Sequence, residues 1–200
     1  EDRLLAMENI VSPRAVREQA ALEDVSAVME GSPCLCTVGR FSHAKGMDRA
    51  VRIAARLVEM GMKGLRWYLA GYGDEASLRR EIAAHGMEEH VVILGKKANP
   101  YPYMAACGLY VQPSRYEGKA VAVREAQILG RPVAITRFPT ASGHLEDGVD
   151  GVIVPNDEEG AAQALFSLLH DPARLESLAA ACRARDYGNR DEILKLEALV

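Results

Sequence analysis

Ser114-Arg115-Tyr116-Glu117-Gly118-Lys119-Ala120-Val121-Ala122-Val123-Arg124-Glu125-Ala126, closing in Leu129-Gly130-Arg131-Pro132-Val133, decides how this chain is read. The stretch spans a loop-to-helix junction with a carboxylate on either side of it. Gly118 allows the backbone to approach a ligand closely, and the N–H groups of a helix opening near Lys119, Ala120 and Val121 would face an anion such as a phosphate. Glu117 sits at the mouth of the junction and Glu125 about two turns deeper. At roughly 100° per residue, eight steps bring Glu125 back to within about 80° of its starting direction, so both carboxylates can face one cavity if Glu117 lies just before the helix. Two isolated glutamates on a helix would ordinarily be solvated charges. The glycine and the helix opening between them point instead to a ligand site.

Outward from this junction the same alternation recurs. Short β-rich runs at 34–38, 65–70, 91–94, 109–112, 132–135 and 151–154 are separated by helix patterns at 47–60, 75–85, 101–106, 119–129 and 158–170. That order predicts an α/β fold, a Rossmann-like three-layer α/β/α arrangement with a mainly parallel sheet of about six strands. Asp157 can cap the helix that follows it, and Asp171-Pro172 supplies a cap and a first-position proline for a helix over 173–185. Gly188-Asn189 then breaks the chain before a last helix over 191–199. Residues 1–30, with Ile10-Val11-Ser12-Pro13 leading into a helix over 15–29, form an opening segment; 31–186 form the main domain and 187–200 a terminal segment.

The 200 residues, 48% hydrophobic and 26% charged, suffice for one globular domain with a substantial core. A formal net charge of -4 and the absence of a Lys/Arg run argue against a nucleic-acid partner. No apolar stretch reaches the length of a membrane span, and no signal-peptide pattern opens the chain. Cys34, Cys36, Cys107 and Cys182 lack metal-ligand spacing, so free buried thiols in a reducing cytoplasm, and no metal, are expected. Opening at Glu1 without Met, the chain reads as an excised piece of a longer protein.

Three further loops follow strands on the same edge. Gly39-Arg40-Phe41-Ser42-His43-Ala44-Lys45-Gly46 sits where an open α/β sheet binds ligands, and Arg40 and Lys45 could converge on one phosphate-sized anion. Gly71-Tyr72-Gly73-Asp74-Glu75-Ala76 matches a loose dinucleotide pattern, but it follows the second strand, and Lys96-Lys97 stands where the ribose-binding acid is expected. Gly71 and Gly73 are therefore read as a tight turn lining a shared cleft. Gly95-Lys96-Lys97 leaves the third strand as a plain turn or as a contact to a base.

Taken in order, G-R-x4-K-G, L-A-G-x-G, V-x-x-L-G, P-S-x-x-E-G-x7-A, G-x-P-V and D-G-x-x-G-x-x-V run from Gly39 to Pro155. This series resembles the nucleotide-sugar-binding C-terminal half of family 4 (group 1) retaining glycosyltransferases, which have the two-domain GT-B fold. The resemblance implies that Gly39, Arg40 and Lys45 hold a donor diphosphate and that Glu117 lies beside the donor sugar. It implies further that Glu125 accepts hydrogen bonds from the ribose hydroxyls, that the backbone from Gly118 through Val121 cradles a phosphate, and that Lys96 and Lys97 border the base. Arg40, Lys45 and Glu117 are then the catalytic candidates, front-face departure being favoured over a Glu117 nucleophile. No cofactor beyond the nucleoside diphosphate sugar is implied, UDP being preferred over GDP, and no metal. The implied partners are a missing N-terminal domain and a carbohydrate or lipid-linked acceptor in surface polysaccharide or glycoconjugate assembly. The setting is the cytoplasm or its membrane face, with peripheral membrane contact through the missing half.

Lys119 and Ala120 depart from the aromatic and proline residues usual after the Glu-Gly step, which admits a donor with an anionic sugar. The terminal helix would pack toward the missing half, and the chain alone would bind donor without turning over. A nucleotide-sugar epimerase of related architecture, a non-catalytic nucleotide-binding module and, more distantly, a dehydrogenase are the rival readings.

Overall fold

A computed structural model describes residues 11–189. Its strands are β1 (Cys34–Val38), β2 (Arg66–Ala70), β3 (Val91–Gly95), β4 (Leu109–Gln112), β5 (Val133–Thr136) and β6 (Val152–Val154). The helices are α1 (Pro13–Ala20), α2 (Met47–Glu59), α3 (Glu75–Ala84), α4 (Tyr101–Ala106), α5 (Val121–Ile128), α6 (Glu158–Leu169) and α7 (Pro172–Ala184). The strands form one six-stranded sheet in the order β3-β2-β1-β4-β5-β6, and every neighbouring pair is parallel.

Both faces of the sheet are covered, as an all-parallel sheet requires. Alternate residues divide between them: Leu35, Trp67, Leu69, Leu109 and Val111 join a core that includes α2 and α6 residues, while Cys36, Tyr68, Tyr110, Val133 and Ile135 join one that includes α4 and α5 residues. This is the period of two expected along a strand. Two polar side chains buried within these layers, Thr37 and Trp67, are paired with each other. Trp67 Nε1 donates to Thr37 Oγ1 at 2.9 Å, and that hydroxyl donates to the Val111 carbonyl at 2.5 Å.

From β1 the chain builds outward to β2 and β3, then returns to place β4 on the other side of β1. Strands that leave in opposite directions open a crevice beyond their carboxyl ends, and such a switch point is where open α/β sheets bind ligands. The loops after β1 and β4 are therefore neighbours although they are far apart in sequence.

The opening helix is shorter than the periodicity predicts. It ends at Ala20 rather than extending to residue 29, and the Asp24 carboxylate takes the Ser26 N–H at 2.9 Å. A side chain that satisfies the backbone locally in this way competes with helix propagation. Its start is also earlier than expected, because Pro13 fits the first turn and Ser12 accepts the Ala15 N–H at 3.3 Å. The helix expected over 191–199 lies outside the described residues. Among the described residues, no helix is long and apolar enough to cross a membrane.

Candidate functional site

The carboxyl-edge loops are stitched to one another by backbone hydrogen bonds. Gly39 N–H donates to the Ala70 carbonyl at 3.0 Å, Phe41 N–H to Tyr72 at 2.7 Å, Gly71 N–H to Gly95 at 2.9 Å and Arg115 N–H to Ala44 at 2.8 Å. Gly71 and Gly73 serve this stitching. A Cβ on Gly71 would lie 1.8 Å from the Gly39 carbonyl oxygen, and one on Gly73 would lie 2.5 Å from that of Phe41. Gly46, in the left-handed region at φ 67°, would place a Cβ 2.1 Å from the Pro113 carbonyl oxygen. These glycines let the loops after β1, β2 and β4 come into contact.

That contact brings Lys45 and Glu117 together across 72 positions, Nζ lying 2.7 Å from each carboxylate oxygen. The Glu117 side chain is 4% exposed and that of Lys45 is 30% exposed. Burying a carboxylate is tolerable only with such partners. Glu117 Oε1 also accepts from Ser114 Oγ at 2.6 Å and Gln112 Nε2 at 3.1 Å. Gln112 is itself oriented by the Tyr110 hydroxyl, which donates to its Oε1 at 2.7 Å. Thr140 Oγ1 donates to the Glu117 carbonyl at 2.7 Å. Glu117 is thus fixed at both side chain and backbone.

The sequence alone gives Gln112, Tyr110 and Ser114 no role. One signal was available: an apolar strand that ends in a buried glutamine and leads to a serine brings polar groups that need partners.

The other predicted residues occupy adjoining positions. Arg40 Cζ and Lys96 Nζ lie 5.8 Å and 5.5 Å from the centroid of the exposed Tyr72 ring, and Lys97 Nζ lies 5.0 Å from that of Tyr103. Glu125 is held separately from Glu117: the Tyr101 hydroxyl donates to its Oε1 at 2.8 Å. Burial raises the Glu125 carboxyl above its ordinary value, against the hydrogen bond from Tyr101. Burial first, then that bond to Glu125, pushes Tyr101 up to about 12.

α5 begins at Val121 with Ala120 as a cap that offers no side-chain hydrogen bond. Val121 N–H is engaged by the Lys119 carbonyl at 3.0 Å. A Cβ on Gly118 would meet nothing within 4 Å, so that edge is open. It borders a cavity of about 400 Å³ whose walls include Lys119, Ala120, Val121, Arg124 and His144. Burial lowers His144 below its ordinary value; Glu117 opposes this and Arg124 adds to it.

Among the described residues, no group of three or more His, Cys, Asp or Glu could hold a metal ion. The four cysteines are free and buried, and burial pushes the Cys34 thiol up to about 11.

The sequence profile of the family described as Glycosyl transferases group 1 matches residues 32–171, the span that contains this rim. The chain belongs to that family. Alpha-D-kanosaminyltransferase of Streptomyces kanamyceticus is 30% identical over 168 residues, which are 82% of this chain and 42% of that protein. A lipopolysaccharide core biosynthesis glycosyltransferase of Rhizobium meliloti is 28% identical over 142 residues, 70% of this chain and 40% of that protein. The chain therefore spans about two fifths of the length of these relatives. Its fold matches that of a Staphylococcus aureus TarM mutant solved with fondaparinux, alpha-GlcNAc-glycerol and UDP, with a TM-score of 0.82 and 18% identity over 100% of this chain and 40% of that one. As a group 1 glycosyltransferase chain it has the Rossmann-like architecture of a GT-B C-terminal domain.

Proposed function

We propose that this chain is the donor-binding half of a retaining glycosyltransferase that moves a sugar from a nucleoside diphosphate to a carbohydrate or lipid-linked acceptor. The observation that carries the reading is the buried Glu117 carboxylate, held by Lys45, Ser114 and Gln112 at the switch point of the sheet. Breaking the glycosidic bond leaves negative charge on the departing diphosphate and positive charge on the sugar. Arg40 and Lys45 answer the first, and Glu117 answers the second by stabilising charge or fixing hydroxyls. Lys45 would share its ammonium between Glu117 and the incoming phosphate, which links donor binding to the state of the carboxylate. Cations in these positions can carry the leaving charge without a metal.

Uracil is the preferred base and guanine the next; the UDP in the TarM complex supports that order. The name of the Rhizobium meliloti relative supports a role in surface polysaccharide assembly, which would place the reaction in the cytoplasm or at the inner membrane face. The remaining parts of the reaction site would come from an N-terminal domain, so these 200 residues should bind donor without turning over.

The test is calorimetric titration with UDP, GDP, ADP and NAD in chelator, on wild type and on Lys45→Ala. Selective binding of one nucleoside diphosphate, weakened by the substitution, is the expected result. Equal binding of all four ligands, selective NAD binding, or robust sugar transfer by the 200 residues alone would overturn the reading. Gly71 and Gly73 are accounted for by their packing on Gly39 and Phe41, so no observation favours a dehydrogenase.

A further inference from the structure

Arg124 sits where helix chemistry disfavours it. It lies in the first turn of α5, which has neither an acidic residue in that turn nor a side-chain cap, so its charge opposes the positive end of the helix dipole. Among the described residues no carboxylate pairs with it. The guanidinium lies instead 4.9 Å from the centroid of the Tyr187 ring, a contact that holds the charge while offering no acceptor to its N–H fork. A local rule broken without local compensation is the mark of a site shaped for something else.

The ring that holds Arg124 is itself fixed. The Tyr187 hydroxyl donates to Asp150 Oδ2 at 2.9 Å, and the same buried carboxylate accepts from Arg185 at 2.7 Å and, through Oδ1, from the Glu146 N–H at 2.7 Å. Arg124 forms one wall of the 400 Å³ cavity with His144, Lys119 and the open edge at Gly118. Asp186, an acid on that wall, spends Oδ1 on the Gly188 N–H at 2.8 Å. Thr140, also on the wall, ties the cavity to the Glu117 carbonyl. Arg40 and Lys45, assigned above to the diphosphate, do not line it. The cavity volume falls in the range that holds a small ligand.

We propose that this cavity recognises a carboxylate on the donor sugar, bound by the Arg124 fork beside His144, so that the chain takes a uronate donor in preference to a neutral one. The inference rests on the donor-binding reading. A planar guanidinium meets a carboxylate through two parallel hydrogen bonds, and a neutral hydroxymethyl group in the same place would leave the cation unanswered.

Calorimetric titration with UDP, UDP-glucose, UDP-glucuronate and free glucuronate tests it, on wild type, Arg124→Gln and Arg124→Lys. Wild type should bind UDP-glucuronate about tenfold or more tightly than UDP-glucose. Arg124→Gln should lose that preference while keeping its affinity for UDP, which also reports that the variant is folded, and Arg124→Lys should recover part of the preference. Equal affinity for the two sugars, or a preference that survives in Arg124→Gln, overturns the inference while leaving the donor-binding reading intact. Free glucuronate binding as tightly as the nucleotide sugar would move the anion to the acceptor and overturn the donor assignment. Absence of UDP binding would overturn both.

Discussion

At the scale of single residues, Glu117 has the most demanding environment on the rim. Its carboxylate depends on one ammonium and two neutral donors, and removing the ammonium leaves a nearly buried charge under-compensated. Lys45→Ala is therefore expected to cost about 2 kcal/mol, below the range for fully buried pairs because Lys45 retains solvent contact; the shift in a urea unfolding midpoint measures it. Glu125 gives a prediction of opposite character. Burial raises its folded value above the ordinary 4.5, so its contribution to stability is fully present below 4.5 and is lost as the pH rises through the folded value. Glu125→Gln, which keeps an acceptor for Tyr101, should gain in Tm on the wild type as the pH is raised past 4.5. A Tm difference that stays constant across that interval would contradict the assignment.

At the scale of elements, the loops after β1 and β4 approach closely where Gly46 turns with a positive φ beneath the Pro113 carbonyl. Gly46→Ala brings both backbone strain and a clash with a carbonyl oxygen. A loss of about 3 kcal/mol is expected, with the Lys45–Glu117 contact displaced along with it. Thermal unfolding and nucleotide titration on the same variant would show whether stability and binding fall together. The neighbouring link between Arg115 and Asp48 ties the β4 loop to α2 through two bonds of 2.8 Å and 2.7 Å. Burial acts against the Asp48 charge, yet the hydrogen bonds and charge of Arg115, with Arg52, hold its carboxyl below the ordinary 3.8. The stabilisation is present above 3.8 and disappears as the pH falls through the lower folded value. Wild type should exceed Asp48→Asn in Tm at neutral pH, and the difference should close in acid.

At the scale of the whole molecule, a central sheet buried on both faces makes its side chains expensive to truncate. Trp67 is fully buried against α2 and α6 and donates to Thr37. Trp67→Ala should cost about 3–5 kcal/mol through lost burial and the cavity left behind, with the Thr37 hydroxyl losing a donor. Urea denaturation followed by far-UV circular dichroism would measure this, because Trp67 is the sole tryptophan of the chain and the substitution removes its fluorescence. The Asp150 cluster with Tyr187 and Arg185 secures the segment after α7 to the same body, so the walls of the 400 Å³ cavity come from both α5 and this returning strand of chain.

All six strands and the helices between them were legible in the sequence to within about two residues, because apolar runs bounded by Gly, Pro and Asp report a local period and local caps. The ordered loop motifs likewise marked which carboxyl-edge segments would share a rim. The local sequence could not say which partners those residues would choose. The pairing of Lys45 with Glu117 spans 72 positions, and the support from Gln112 and Tyr110 depends on the β4 end facing that pair. The Arg124 contact with Tyr187 depends on the chain returning past α5. Helical and strand periods are fixed by neighbours along the chain, whereas buried charges take whichever donors the packed layers bring within about 3 Å, and that choice belongs to the tertiary structure.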